Sequence, residues 1–189
     1  MIGTSSYKNW KSSEFITYSI SKDRGQKAGY NRRVFLPLAL FSENAKGENE
    51  YIKDYYENVL RKLDPYEVYE SLDGSVLLSY GTEGKLSHRH IVASWLELFL
   101  GVEVPELSAD GKNIKLEGER REKVKAQLKV IINEKENLHG FDSIQAAYLY
   151  NRILRLKEAS EKAPQFERLC TDSICKYKEK IKKIEGKQM

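Results

Sequence analysis

The chain predicts an α/β fold, and three observations carry the prediction. An apolar, strand-like run at residues 76–80 enters a glycine-bearing loop; an amphipathic helix leaves that loop over 87–100; and two strand-like stretches precede them, a mixed apolar start at 1–5 and an alternating run at 15–20. A strand that delivers the chain to a sheet edge, a loop that exposes backbone N–H groups and a helix start with its partial positive charge are how α/β proteins build ligand sites.

Each element has its own signal. In 15–20, Phe15, Thr17 and Ser19 alternate with Ile16, Tyr18 and Ile20, the period of a strand. Residues 21–33 carry Gly25, Gly29 and five basic residues, which predicts a loop, and loops of that length are often functional. Residues 49–63 place Ile52, Tyr55, Tyr56, Val59, Leu60 and Leu63 on one helical face, and Pro65 is expected to stop that helix. After the 76–80 strand, the helix over 87–100 sets Ile91, Val92, Trp95, Leu98 and Phe99 on one side, and 102–104 reads as another short strand. Strand, helix and strand make one βαβ unit, which calls for parallel neighbours and a right-handed crossover. The expectation for residues 1–107 is a Rossmann-like three-layer domain with a mostly parallel sheet of about four strands.

Beyond Pro105 the pattern changes. Residues 108–113 form a polar turn and a boundary, after which 117–135, 143–159 and 165–183 read as helices separated by Leu138-His139-Gly140 and by Pro164. Tyr148, Leu149, Ile153, Leu154 and Leu156 give the second of these a wide apolar surface, so a helical extension over 108–189, packed on the first domain, is expected.

The 189 residues, 40% of them hydrophobic, suffice for a packed core. No run approaches the roughly 18 apolar residues that cross a bilayer, and the N-terminus lacks a basic segment followed by an apolar one, so the cytoplasm is the expected location and a membrane partner is not expected. Cys170 and Cys175 have no further Cys or His near them, which argues against a zinc site; no metal or other cofactor is expected. Charge divides unevenly: residues 1–110 hold 13 Lys and Arg against 16 Asp and Glu, whereas 111–189 hold 19 against 12. The basic tail half, its lysines interleaved with Glu, is read either as an ordinary solvated face or as a surface for phosphates.

The candidate site centres on residues 76–91. Arg89 has the planar fork that grips phosphate or carboxylate beside a helix N-terminus, against the alternative of a structural salt bridge. His88 and His90 are the candidates for proton transfer, although two residues apart on a helix their side chains diverge by about 200°. Ser87 stands where an N-cap is wanted, and Ser79 and Tyr80 end the strand. Thr4, Ser5, Ser6 and Tyr7 follow the first strand and would share its rim, with Ser5 and Ser6 alternatively capping a turn around 8–10. In the 21–33 loop, Arg24, Tyr30, Arg32 and Arg33 suit closure over a base or a phosphate, or simply a surface loop. Gly81-Thr82-Glu83-Gly84-Lys85 lacks the span and the following Ser or Thr of a P-loop.

Thr4-Ser5-Ser6-Tyr7, Ser19-Ile20-Ser21, Leu63-Asp64-Pro65, Val76-Leu77-Leu78-Ser79-Tyr80 and Ser87-His88-Arg89-His90-Ile91-Val92-Ala93-Ser94-Trp95-Leu96 together resemble the family catalogued as domain of unknown function 488, over about residues 1–107. The resemblance implies an α/β domain with its site on these strand ends and no settled activity. Many members have Cys where this chain has Ser79 and Ser87; a serine needs an adjacent base to act as nucleophile and binds soft metals poorly.

Two functions remain open from the sequence. One is an enzyme for a phosphorylated ligand, a nucleotide or a nucleic-acid end, with Arg89 binding phosphate and His88 or His90 moving protons. The other is a non-catalytic module that binds nucleic acid or protein through the basic C-terminal helices. A carboxylate near His88 or His90 would favour the enzyme, with Glu14, Asp23 and Glu83 as candidates.

Overall fold

The structure is a computed structural model that describes residues 2–11, 14–21, 30–31, 35, 47–81, 86–109 and 118–186. The chain divides into two compact units, 1–131 and 132–189.

The first unit is built on a parallel sheet. Its strands are β1 (Gly3–Ser6), β2 (Ile16–Ser19), β3 (Tyr30–Asn31) and β4 (Ser75–Ser79), in the order β1-β4-β2-β3. β3 is a two-residue pairing beside β2, within the stretch expected to be loop throughout. In register, Gly3 faces Val76 and Ser6 faces Ser79. Ser19 faces Leu78, so serines end three neighbouring strands. β4 is buried along its length, as a central parallel strand must be. β2 alternates as expected, but its buried positions are Thr17 and Ser19 while Ile16 is 54% exposed.

The described helices that follow in this unit, ahead of the segment after residue 100, are α1 (Glu48–Asn58), α2 (Pro65–Leu72) and α3 (His88–Leu100). Pro65 does not merely stop the preceding helix. α1 ends at Asn58, a single 3-10 turn follows at Leu60–Lys62, and Pro65 then opens α2. Proline is at ease in a first helical turn, where its missing N–H is not needed, and the Asp64 carboxylate accepts from the N–H groups of Tyr66 at 3.0 Å and Glu67 at 3.3 Å. α3 is buried on all sides over His88–Leu96 and packs on β1 and β4. Gly101 closes it with φ 65°, a left-handed conformation that glycine adopts without penalty.

The expected strand at 102–104 is not formed. Pairing shifts to a single parallel bridge between Thr4 and Glu106, held by Thr4 N–H to the Pro105 carbonyl at 2.9 Å and Leu107 N–H to the Thr4 carbonyl at 2.8 Å. Pro105 has no N–H to give, so its carbonyl alone enters the ladder. The crossover from β4 therefore returns on the far side of β1. Tyr7, Trp10, Val76, Leu78 and Leu107 form one apolar cluster, with Phe15 against it.

α4 (Gly118–Lys135) carries the first unit past the expected boundary at 107, because Arg121 and Lys125 bond back to residues of α3 and of the 104–106 segment. In the second unit, α5 (Ile144–Lys162) and α6 (Glu167–Glu185) pack Ala146, Leu149, Ile153 and Ile181 together, flanked by Phe141, Ile174 and Tyr177. Ser143 caps α5, its hydroxyl accepting from Ala146 N–H at 3.3 Å. Among the described residues no helix is long and apolar enough to cross a membrane.

Candidate functional site

Tyr80 and Gly81 follow the carboxyl end of β4, and Leu86, which is buried, and Ser87 precede α3. β4 lies between β1 and β2, whose chain connection passes it by, so this end is a topological switch point, where open α/β sheets place their ligands.

The polar groups there form a chain of hydrogen bonds. Arg89, only 1% exposed, donates from Nε to Glu106 Oε1 at 2.8 Å and from Nη1 to Ser79 Oγ at 3.3 Å. Ser79 Oγ is 2.8 Å from Ser87 Oγ, and Ser87 Oγ donates to the Tyr80 carbonyl at 3.3 Å. A guanidinium only donates and a carbonyl only accepts, so the order of protons is set: Ser79 gives its proton to Ser87, and Ser87 gives its own to Tyr80. Neither hydroxyl faces an imidazole, which is the geometry an activated serine requires. Gly81 lies against this chain: a Cβ there would stand 2.7 Å from Arg89 Nη1 and 3.1 Å from Ser87 Cβ, so a larger residue would require the Arg89 guanidinium to shift.

Glu106 is the hub below Arg89. Its Oε2 accepts from the Thr4 hydroxyl at 2.5 Å and lies 3.8 Å from Arg121 Nη2. Arg121 also donates to Thr4 Oγ1 at 3.2 Å, to Glu97 Oε1 at 3.3 Å and to the Val104 carbonyl. Lys125 Nζ lies 2.9 Å from Glu97 Oε2. Two buried cations, Arg89 and Arg121, thus meet two carboxylates, Glu97 and Glu106, whose side chains are 8% and 4% exposed. Of the two roles open to Arg89, the salt bridge is formed.

The histidines diverge as their spacing dictates. His88 Nε2 is 2.8 Å from the Ile20 carbonyl, to which it donates, and the ring lies 5.9 Å from that of Tyr55. Burial brings its pKa down to about 4, outweighing the Ile20 bond that favours the proton, so the ring is neutral at pH 7. Its Nδ1 is buried with no hydrogen-bond partner among the described residues. His90 Nδ1 accepts from the Ser87 N–H at 3.1 Å, filling the place Glu or Gln takes in a capping box, with Ser87 at the N-cap.

The remaining candidates are distributed around this rim. Tyr80 is 52% exposed, its N–H bonded to Ser21 Oγ at 3.0 Å and its ring 4.5 Å from that of Tyr7. Tyr7 N–H donates to the Ser79 carbonyl at 3.2 Å. Ser5 Oγ donates to the Leu107 carbonyl at 2.6 Å, and Ser6 Oγ accepts from Asn9 N–H at 3.2 Å, a turn cap. Tyr30 joins the sheet through its backbone in β3, whereas Arg24, Arg32 and Arg33 lie outside the described residues, as do Asp23 and Glu83. Glu14 is exposed.

Glu106, Glu97 and Arg121 are not singled out by the sequence. Each is a lone charged residue, and what binds them to the site is a fold that brings residue 106 beside residue 4. Among the described residues no group of three or more His, Cys, Asp and Glu is placed to hold a metal ion. Cys170 is buried and Cys175 exposed, both as free thiols. No family model, no curated protein and no solved structure matches this chain.

Proposed function

We propose that the chain is a binding protein whose Rossmann-like first unit takes a small phosphate-bearing anion, such as a nucleotide, at the strand, loop and helix of residues 76–91. Kinship with the domain of unknown function 488 family is part of the same proposal. The observation that carries it is the contact of Gly81 with Arg89 above the Ser79–Ser87 pair, at the carboxyl end of the central strand. The start of α3 offers an anion its partial positive charge at this strand end, and the side of Gly81 where a Cβ would stand packs on Arg89 and Ser87, which fixes the backbone beside that helix start. Arg89 acts here as a positioning residue: it holds Ser79 and fills the side of Gly81 where a Cβ would stand.

Binding is favoured over turnover by how the candidate acids and bases are engaged. His88 is tied to Ile20 and His90 to the Ser87 amide, and the hydroxyls of Ser79 and Ser87 run toward Tyr80 instead of toward a base. Titration calorimetry with inorganic pyrophosphate and with AMP tests the proposal. Heat of binding is expected for the native chain and a loss of at least about tenfold in affinity for Gly81→Ala, checked for folding by circular dichroism. No binding of either anion, or equal binding by a folded Gly81→Ala, would overturn it.

A further inference from the structure

We propose that the outward face of the carboxyl-terminal half of α6 binds the phosphate backbone of duplex nucleic acid. Lys176, Lys178, Lys180, Lys182 and Lys183 fall within eight residues, and all five are exposed. Among the described residues none of them makes an ion pair, although Asp172 and Glu179 stand four residues before Lys176 and Lys183. The same spacing does close a pair elsewhere in this unit, Lys162 with Glu158 at 2.6 Å. Glu185 is engaged at the start of α5, accepting from Asp142 N–H at 3.4 Å and Ser143 N–H at 3.1 Å.

The arrangement of these lysines has a direction. Ile174, Tyr177, Ile181 and Ile184 make the stripe that packs into the cluster with α5. At about 100° per residue, Lys176, Lys180 and Lys183 run along one flank of that stripe and Lys178 and Lys182 along the other. A helix about 10–12 Å wide with a cationic row on each flank matches a groove about 12 Å across whose walls are phosphates.

The helix dipole explains part of this pattern and leaves the rest. It favours Lys182 and Lys183 in the last turn, but its effect does not reach Lys176, Lys178 and Lys180. Lys176 with Lys180, and Lys178 with Lys182, are like charges at the spacing where they repel, a repulsion that a polyanion removes. The apolar stripe is covered by α5, and the exposed Phe166 and Leu169 stand at the opposite end of α6, so the lysine-bearing half presents no exposed apolar residue to a bilayer, which separates it from lipid-binding amphipathic helices. The recognition is electrostatic and independent of base sequence.

Fluorescence anisotropy of the full chain with a short mixed-sequence DNA duplex, repeated across salt concentrations, tests the proposal. If about four lysines engage phosphates, log K is expected to fall with log salt at a slope near −4. The triple variant Lys176→Glu, Lys180→Glu, Lys183→Glu is expected to bind at least about tenfold more weakly, and the matching triple Lys→Gln variant to lose about three from the slope. A control reversing Lys53, Lys62 and Lys129, exposed in the other unit, is expected to bind as the native chain does. Absence of binding at low salt, equal weakening in the control, or binding of anionic vesicles or an acidic peptide without the duplex would each overturn it.

Discussion

A guanidinium that is 1% exposed has surrendered its water, and at Arg89 the opposite charge within hydrogen-bond reach is the Glu106 carboxylate, 2.8 Å from Nε. Removing that carboxylate by Glu106→Ala takes from the Arg89 Nε its anionic partner and from Arg121 one of its two acidic neighbours. The expected loss is about 3–5 kcal/mol, the usual consequence of breaking a buried pair on one side, read from the midpoint of urea unfolding. A loss below about 1 kcal/mol would mean that water reaches Arg89. His88 poses the opposite problem, a group that must stay neutral. Its folded pKa is about 4 against 6.5 for the free side chain, so between those values the unfolded chain binds a proton that the folded chain refuses. Stability from this residue is present above pH 6.5 and is lost as pH falls toward 4, by about 3 kcal/mol across the window. His88→Gln, which keeps a donor for the Ile20 carbonyl, is expected to flatten the dependence of unfolding free energy on pH between 6.5 and 4. An unchanged slope would assign the dependence to other groups.

Elements with a strong period of their own are legible from residue pattern alone. β4 reads as five consecutive buried positions, α3 as an amphipathic run entered through Ser87, and α5 and α6 as apolar stripes bounded by Gly140 and Pro164. What escapes the pattern is set by neighbours. α2 is eight residues long, and its opening Asp64-Pro65 carries the same proline that would end a helix; only the Asp64 carboxylate turned toward Tyr66 and Glu67 identifies it as a start. Val102-Glu103-Val104 has the composition of a strand, yet pairing slides to Glu106 because Gly101 ends α3 and Pro105 offers β1 a carbonyl and no amide. In the candidate site, the 76–91 frame and the divergence of His88 from His90 follow from chain geometry alone. The partners do not: Glu106 is 17 residues from Arg89, and Arg121 is 117 from Thr4, separations at which sequence pattern carries no signal.

The same long-range bonds decide where the first unit ends. The polar turn expected at 108–113 suggests a stop near residue 107, but Arg121 and Lys125 of α4 hold Glu97, while Arg121 also reaches Thr4 and the Val104 carbonyl. Cutting the chain after Leu107 leaves Glu97, 8% exposed, with the Val104 N–H as its remaining partner among those bonds. Water reaching Glu97 offsets part of the loss of its cations, but the burial of Val124, Leu128 and Ile131 is lost as well, at about 1.5–3 kcal/mol for each side chain. Against a total stability of about 5–15 kcal/mol for a domain, that is enough to abolish a cooperative fold. Residues 1–107 are therefore expected to melt without a sharp transition and to bind a dye for exposed apolar surface, whereas residues 1–135, which keep all of α4, are expected to melt cooperatively. Calorimetry of the two pieces decides the matter. A sharp transition in residues 1–107 at the temperature of the longer piece would show that the Glu97–Arg121–Lys125 bonds decorate the unit instead of completing it.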